Sequence, residues 1–243
     1  MQNKLSFNNI FMSFYDLEKE TKVLEDLTFN VKEGEICVLL GPSGCGKSTI
    51  LNLVSNIIKP TKGIIMKPAS IGYMFQKDNL LDWLNVLDNV LIGLKINKTL
   101  TKEKVDYAKE LLTKYGLKDF IYSFPNTLSG GMRQRVALIR AIILNPEMIL
   151  LDEPFSALDS QTRIKVSSDI YEIIKELNMT TILVTHDVIE AIMLADKIII
   201  LSNRPATLIK EIDIEINDLK PEKRRNHQLF NTYFDIVWND IND

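Results

Sequence analysis

The sequence has little of what a secreted, metal-stapled or membrane-spanning chain needs. It holds only two cysteines, Cys37 and Cys45, with no His or Cys neighbours at metal-ligand spacing. A disulfide framework and a zinc site are therefore not expected, and a reducing cytosol fits. Long apolar runs are missing as well. The longest candidates, around Ile142–Leu144 and Ile198–Leu201, fall far below the ~18–20 residues of a membrane span. No basic segment followed by an apolar stretch opens the chain, so no secretory signal is expected. Positive charge is not in excess: the net charge of −3 argues against a bulk nucleic-acid binder. What is present is an ordinary globular balance, 46% hydrophobic and 25% charged over 243 residues, which supports a large core without covalent staples.

Patterning supplies the organisation. Leu27, Phe29 and Val31 alternate with Thr28, Asn30 and Lys32, the period of a half-buried strand, and Lys4–Phe11 is a weaker candidate. Glu33-Gly34-Glu35 turns the chain into Ile36–Leu40, a continuous apolar run suited to a strand buried on both faces of a parallel sheet. Ile71–Phe75, Met148–Leu151, Thr181–Thr185 and Lys197–Leu201 read the same way. Ile50, Leu51, Val54, Ile57 and Ile58 predict one helix face, ended by Lys59-Pro60-Thr61-Lys62-Gly63. Ser160–Leu177 predicts another helix. Lys77–Pro146 has no convincing strand, but Val105–Tyr115 and Met132–Leu144 carry helical spacing. The expected division is a domain of residues 1–216, with its core in 1–76 and 147–216 and an inserted helical subdomain at about 77–146. A short helical tail, 217–243, follows.

Gly41-Pro42-Ser43-Gly44-Cys45-Gly46-Lys47-Ser48 satisfies G-x-x-x-x-G-K-[ST], between a buried strand and a helix. The glycines let the backbone curl so that several N–H groups point at one phosphate chain, and the helix start adds its positive dipole end. Lys47 is expected to reach the β- and γ-phosphates and Ser48 to ligate Mg²⁺; Thr49 completes the nucleotide-binding set. Cys45 occupies a free position of the motif and is expected to be filler.

Met148–Pro154 delivers two carboxylates at the end of a buried strand, where open α/β sheets bind their ligands. Asp152 suits the Mg²⁺ shell and Glu153 the attacking water. Leu128-Ser129-Gly130-Gly131-Met132-Arg133-Gln134 adds a good N-cap and two glycines at a helix start, a second anion site that would close over ATP held by another copy.

With these segments the chain resembles the ATP-binding cassette (ABC) ATPases from Phe7 to about Ile216. The resemblance implies an α/β P-loop NTPase of the ABC type, with a mainly parallel core sheet, an N-terminal antiparallel β element and an inserted helical subdomain. It implies ATP and Mg²⁺ as ligands. Gln76 would then sense Mg²⁺ and the γ-phosphate, and Ser156-Ala157-Leu158-Asp159 would communicate across a dimer. His186 would contact the γ-phosphate as the switch histidine. Phe14, with Tyr15 as fallback, would stack on adenine. Met132 stands where the family pattern has Gln.

This variant, Leu81–Val90 and Ser202-Asn203-Arg204-Pro205-Ala206 resemble the branch serving nitrate, sulfonate, taurine and related importers. The resemblance implies a homodimer formed on ATP binding and two separate transmembrane permease subunits. An extracytoplasmic solute-binding protein would act indirectly, and the location would be the cytoplasmic face of the membrane. Trp83 and its neighbours suit docking to a membrane subunit, with a core position as the alternative. The chain shows no long C-terminal extension, so the regulatory domain of sugar-type importer ATPases is not expected. A soluble ABC ATPase without a transporter is the competing reading. A chromosome-maintenance ATPase would need long coiled coils, yet only 105 residues separate Lys47 from Asp152.

Overall fold

A computed structural model describes residues 2–16 and 19–242. Residues 1, 17, 18 and 243 of the expected division lie outside the described residues. In chain order the elements are β1 (Asn3–Asp16), β2 (Lys19–Lys32), β3 (Ile36–Leu40), α1 (Lys47–Val54), β4 (Lys62–Met66), β5 (Ile71–Met74), α2 (Val86–Ile96), α3 (Lys102–Lys114) and α4 (Gly130–Ile142). Then come β6 (Met148–Asp152), α5 (Ser160–Glu176), β7 (Thr180–Thr185), α6 (Val188–Leu194), β8 (Lys197–Leu201), β9 (Leu208–Asp213), α7 (Pro221–Arg225) and α8 (Gln228–Asn242).

Two sheets result. The first is antiparallel, in the order β2-β1-β4. The second runs β5-β6-β7-β3-β8-β9, parallel throughout except for the edge strand β9. Continuous burial explains why the central strands read as unbroken apolar runs. Val38 and Leu40 of β3 enter one core with the helices α2–α6, while Cys37 and Leu39 enter the other with α1 and the antiparallel sheet. Ile149 and Leu151 of β6 alternate with Met148 and Leu150 in the same way. Each strand thus carries apolar residues on both faces because both faces are covered.

One expectation fails locally. The helix predicted to run to Ile58 ends at Val54, and Ile57 is exposed. The Ser55 hydroxyl donates to Asn52 O at 3.3 Å and Asn56 turns into the left-handed region at φ 63°. Local polar side chains and an Asn in this conformation end helices regardless of downstream apolar spacing.

Two structural links position the site. The Arg133 fork donates to Asp78 (Nε to Oδ2 2.8 Å, Nη2 to Oδ1 3.0 Å), and Arg140 donates to Asn79 O at 2.7 Å, so α4 is tied to the segment after β5. Burial would raise the Asp78 carboxyl, but Arg133, the Leu80 N–H and Arg140 together hold it below its usual range. The C-terminal helices are also locked in. Arg224 of α7 is fully buried, and its donors go to Leu219 O, Ala195 O, Ile192 O, Asn217 O and the Tyr171 hydroxyl. Among the described residues no helix is long and apolar enough to cross a membrane.

Candidate active site

The loop between β3 and α1 is built on two glycine conformations and one close approach. Gly44 and Gly46 have φ of 77° and 129°, in the region that L side chains avoid. A Cβ on Gly41 would lie 2.9 Å from Leu201 O. Gly46 caps α1 without any side chain, so the helix meets the loop with its first N–H groups uncovered by a side-chain acceptor. Lys47 is nearly buried and donates to Gly41 O at 2.7 Å and Pro42 O at 2.8 Å. Cys45 is buried, which pushes its thiol up despite the nearby Lys47 charge.

A cavity of about 420 Å³ opens over this loop. Its walls are Phe14, Thr21 and Val23 from the antiparallel sheet, Ser43, Gly44 and Gly46–Thr49 from the loop, and Glu153 and Arg204. Phe14 therefore lies at the cavity, while Tyr15 is 69% exposed with its hydroxyl 3.3 Å from Glu20.

The carboxylates sit where β6 ends. The Ser48 hydroxyl donates to Asp152 Oδ1 and the Tyr73 hydroxyl to Asp152 Oδ2, both at 3.3 Å. Burial raises the Asp152 carboxyl, those two hydrogen bonds offset part of the effect, and Glu153 adds to it. Glu153 itself has φ 43°. A non-glycine residue in this region costs about 1–2 kcal/mol, and its N–H is held by Val184 O at 3.0 Å. Gln76 Nε2 and His186 Nδ1 both lie 3.4 Å from Glu153 Oε2. Ser48, Tyr73, Gln76 and His186 thus converge on the two carboxylates at the carboxyl end of the sheet.

Ser129–Gly131 does not line this cavity. The Ser129 hydroxyl accepts from Met132 N at 3.4 Å. A Cβ on Gly130 would lie 2.9 Å from Leu158, and one on Gly131 2.6 Å from Val166. The glycines thus also let α4 approach the Leu158 turn and α5.

Sequence reasoning missed a polar cluster behind Glu153. A small cavity of about 40 Å³ is bounded by Glu153, Ser156, Arg163, Thr185, His186, Asp187 and Glu190. Arg163 donates to Leu158 O at 3.1 Å and to Asp187 Oδ2 at 3.4 Å. Burial, and then Asp187, push the Glu190 carboxyl up to about 8. Arg163 and Glu190 sit inside helices as ordinary charged residues, and no spacing in the sequence marks them. Trp83, for which a core position was the alternative, is 74% exposed.

A nucleotide cradle at the end of a parallel sheet, with paired carboxylates, a glutamine and a histidine, defines a P-loop ATPase. The family described as ABC transporter matches residues 24–156, more than half of the chain. An ABC transporter ATP-binding protein of Bacillus subtilis, YtlC, is 39% identical over 98% of this chain and 95% of its own length. The taurine import ATP-binding protein TauB of Roseobacter denitrificans is 39% identical over 88% of this chain and 84% of its own. A dimeric ATP-binding cassette in a post-hydrolysis state, bound to ADP and Pi, superposes with a TM-score of 0.73 at 31% identity, covering 87% of this chain and 99% of that one. The chain belongs to the ABC transporter family. It is an ATP-binding subunit with ATPase activity.

Proposed function

We propose that this ATPase energises import of a small solute of the nitrate, sulfonate or taurine class through separate permease subunits at the cytoplasmic face of a membrane. The similarity to the taurine import ATP-binding protein TauB supports that class. The observation that carries the site assignment is the convergence of Gln76 and His186 on Glu153, beside a cavity floored by Lys47.

In this reading the loop Gly41–Ser48 and Thr49 hold the triphosphate. Lys47 exchanges its two carbonyl partners for phosphate oxygens, and Phe14 stacks on the adenine. Asp152 and the Ser48 hydroxyl, 3.3 Å apart, would with the Gln76 amide oxygen supply hard oxygen donors, a set that fits Mg²⁺. When bound, Mg²⁺ supplies charge neutralisation of the phosphates. Glu153 accepts the proton of the attacking water as its oxygen bonds to the γ-phosphorus and the bond from that phosphorus to the β,γ-bridging oxygen breaks, leaving ADP and inorganic phosphate. The Glu153 backbone is strained at φ 43°, and its carboxylate lies within 3.4 Å of Gln76 and His186. His186 orients toward the same phosphate, and the Arg163–Asp187 pair couples its loop to the Ser156–Asp159 turn. Ser129, Gly130 and Gly131 face the ATP of a second copy, completing a sandwich of two nucleotides.

Trp83 supports docking to a permease. It is exposed, and its segment is tied by Val86 N to Ser123 O at 2.9 Å beside the exposed Tyr122 and Phe124. Three apolar side chains on one helical subdomain suit burial against a membrane subunit. The solute-binding protein would then act only through the permease.

The test is Glu153→Gln, which keeps size and most hydrogen bonding while removing the base. ATP should still bind, turnover should fall by roughly 10²–10⁴-fold, and an ATP-dependent dimer should appear in sedimentation. Near-normal hydrolysis would overturn the assignment of Glu153, and a monomer at saturating ATP would overturn the sandwich.

A further inference from the structure

One wall of the nucleotide cavity comes from the loop joining β8 to β9, in the person of Arg204. β8 lies parallel to β3 with Ile200 opposite Leu40, so the two loops leave the sheet side by side at its carboxyl end. The Gly41 backbone packs against Leu201 O at that point.

The loop is pinned. Ser202 N donates to Thr207 O at 3.1 Å, and the Ser202 hydroxyl accepts from Thr207 N at 2.8 Å. Ala206, itself fully buried, donates to Val23 O at 2.8 Å and accepts from Glu25 N at 3.0 Å. Val23 lines the same cavity. Residues 203–205 are thus the projecting tip of a tight loop fastened to β2, and the Arg204 backbone is placed with little freedom.

The side chain is exposed, and among the described residues its guanidinium has no hydrogen bond or ion pair. Lys47, by contrast, is already engaged by two carbonyls. A planar group with five N–H donors, held unpaired across from a phosphate-binding loop, matches a polyphosphate anion in charge and in geometry. A solvated surface arginine would need neither the fastened loop nor a place in the cavity wall.

We propose that Arg204 is a nucleotide-binding residue that contacts the phosphates of ATP from the β2 side of the cavity. This rests on the cavity being the ATP site. The β8–β9 loop then completes the grip on the phosphates within a single chain.

The test compares wild type, Arg204→Ala, Arg204→Lys and Lys47→Ala for binding of ATP, ADP and adenosine, by displacement of a fluorescent ATP analogue. Arg204→Ala should weaken ATP and ADP roughly tenfold, as loss of a charge-assisted hydrogen bond does, and leave adenosine unchanged. Arg204→Lys should recover part of the loss, because it restores the charge without the fork. The ATP affinity of Arg204→Ala should also fall less steeply with salt. Unchanged ATP affinity in Arg204→Ala would overturn the proposal, as would an equal loss for adenosine, which would indicate contact with the base. If the wild type itself fails to bind ATP, the cavity assignment falls. If the wild type binds and only Lys47→Ala weakens it, the Arg204 assignment alone falls.

Discussion

Two helices in this molecule begin with glycine, and they use it differently. α1 starts at Gly46, which has φ 129° and no side-chain cap, and the cavity opens directly over it. α4 starts after Ser129, whose hydroxyl accepts from Met132 N, and its glycines lie against Leu158 and Val166. In the first, glycine supplies a backbone conformation that leaves donors free for an anion in the same chain. In the second, it supplies close approach between helices, with a helix start outside the chain's own cavity. A glycine pair before a helix is thus one sequence signal with two physical meanings. The α1 start lines a cavity and carries a nearly buried lysine; in the proposed sandwich the α4 start would take its ligand from a second copy.

The sharpest way to break this comparison is Ser129→Arg in the Glu153→Gln background. A bulky side chain over the α4 start should abolish the ATP-dependent dimer in sedimentation while a single chain binds ATP as before. A dimer of undiminished stability would reduce the segment to a helix cap. Next in size, Lys47→Ala acts on the α1 side and should weaken ATP binding itself by roughly 10–100-fold, the worth of a hydrogen bond from a charged group. Equal affinity in calorimetric titration would mean that the phosphates do not lie on this loop. Smallest, Gly131→Ala should lower stability by about 1–3 kcal/mol through overpacking, since the new methyl meets Val166 at 2.6 Å. Adding Val166→Ala should recover part of that loss in denaturant unfolding. No recovery would mean that the glycine is not there for packing.

Much of the frame was legible in the residues. The five predicted core strands match β3, β5, β6, β7 and β8 to within a residue at each end, because a strand covered on both faces must be apolar throughout. The helices containing Val105–Tyr115 and Ser160–Leu177 appear as α3 and α5. What escaped was local. α1 stops early at Asn56, because its own polar side chains outweigh the spacing of Ile57 and Ile58. α2 was not anticipated, although Asn85 accepting from Asp88 N is a readable cap. The edge strands β4 and β9 were missed because each has one weakly buried side and no strong alternation.

At the site, motif spacing pointed to the phosphate loop and the β6 carboxylates, since those groups must be contiguous in the chain to act. Arg163, Glu190 and Arg204 were not visible as site residues. Their roles depend on which loops the parallel sheet sets side by side: β7 beside β6 brings the loop bearing Asp187 to Glu153, and β8 beside β3 brings Arg204 to the phosphate loop.

By itself the sequence determined the elements whose chemistry is local: a buried strand, a glycine loop, a lysine at a helix start and two carboxylates at a strand end. Periodicity and backbone permissiveness act within a few residues, so those features can be read from neighbours in the chain. The tertiary structure alone decided which loops meet at the carboxyl end of the sheet and that Trp83 faces outward. It also decided that burial raises the Glu190 carboxyl, and that Arg204, unpaired among the described residues, lines the cavity over the phosphate loop. Those outcomes depend on strand order and on the burial it imposes, and residues more than a hundred positions apart become neighbours only when the sheet has formed.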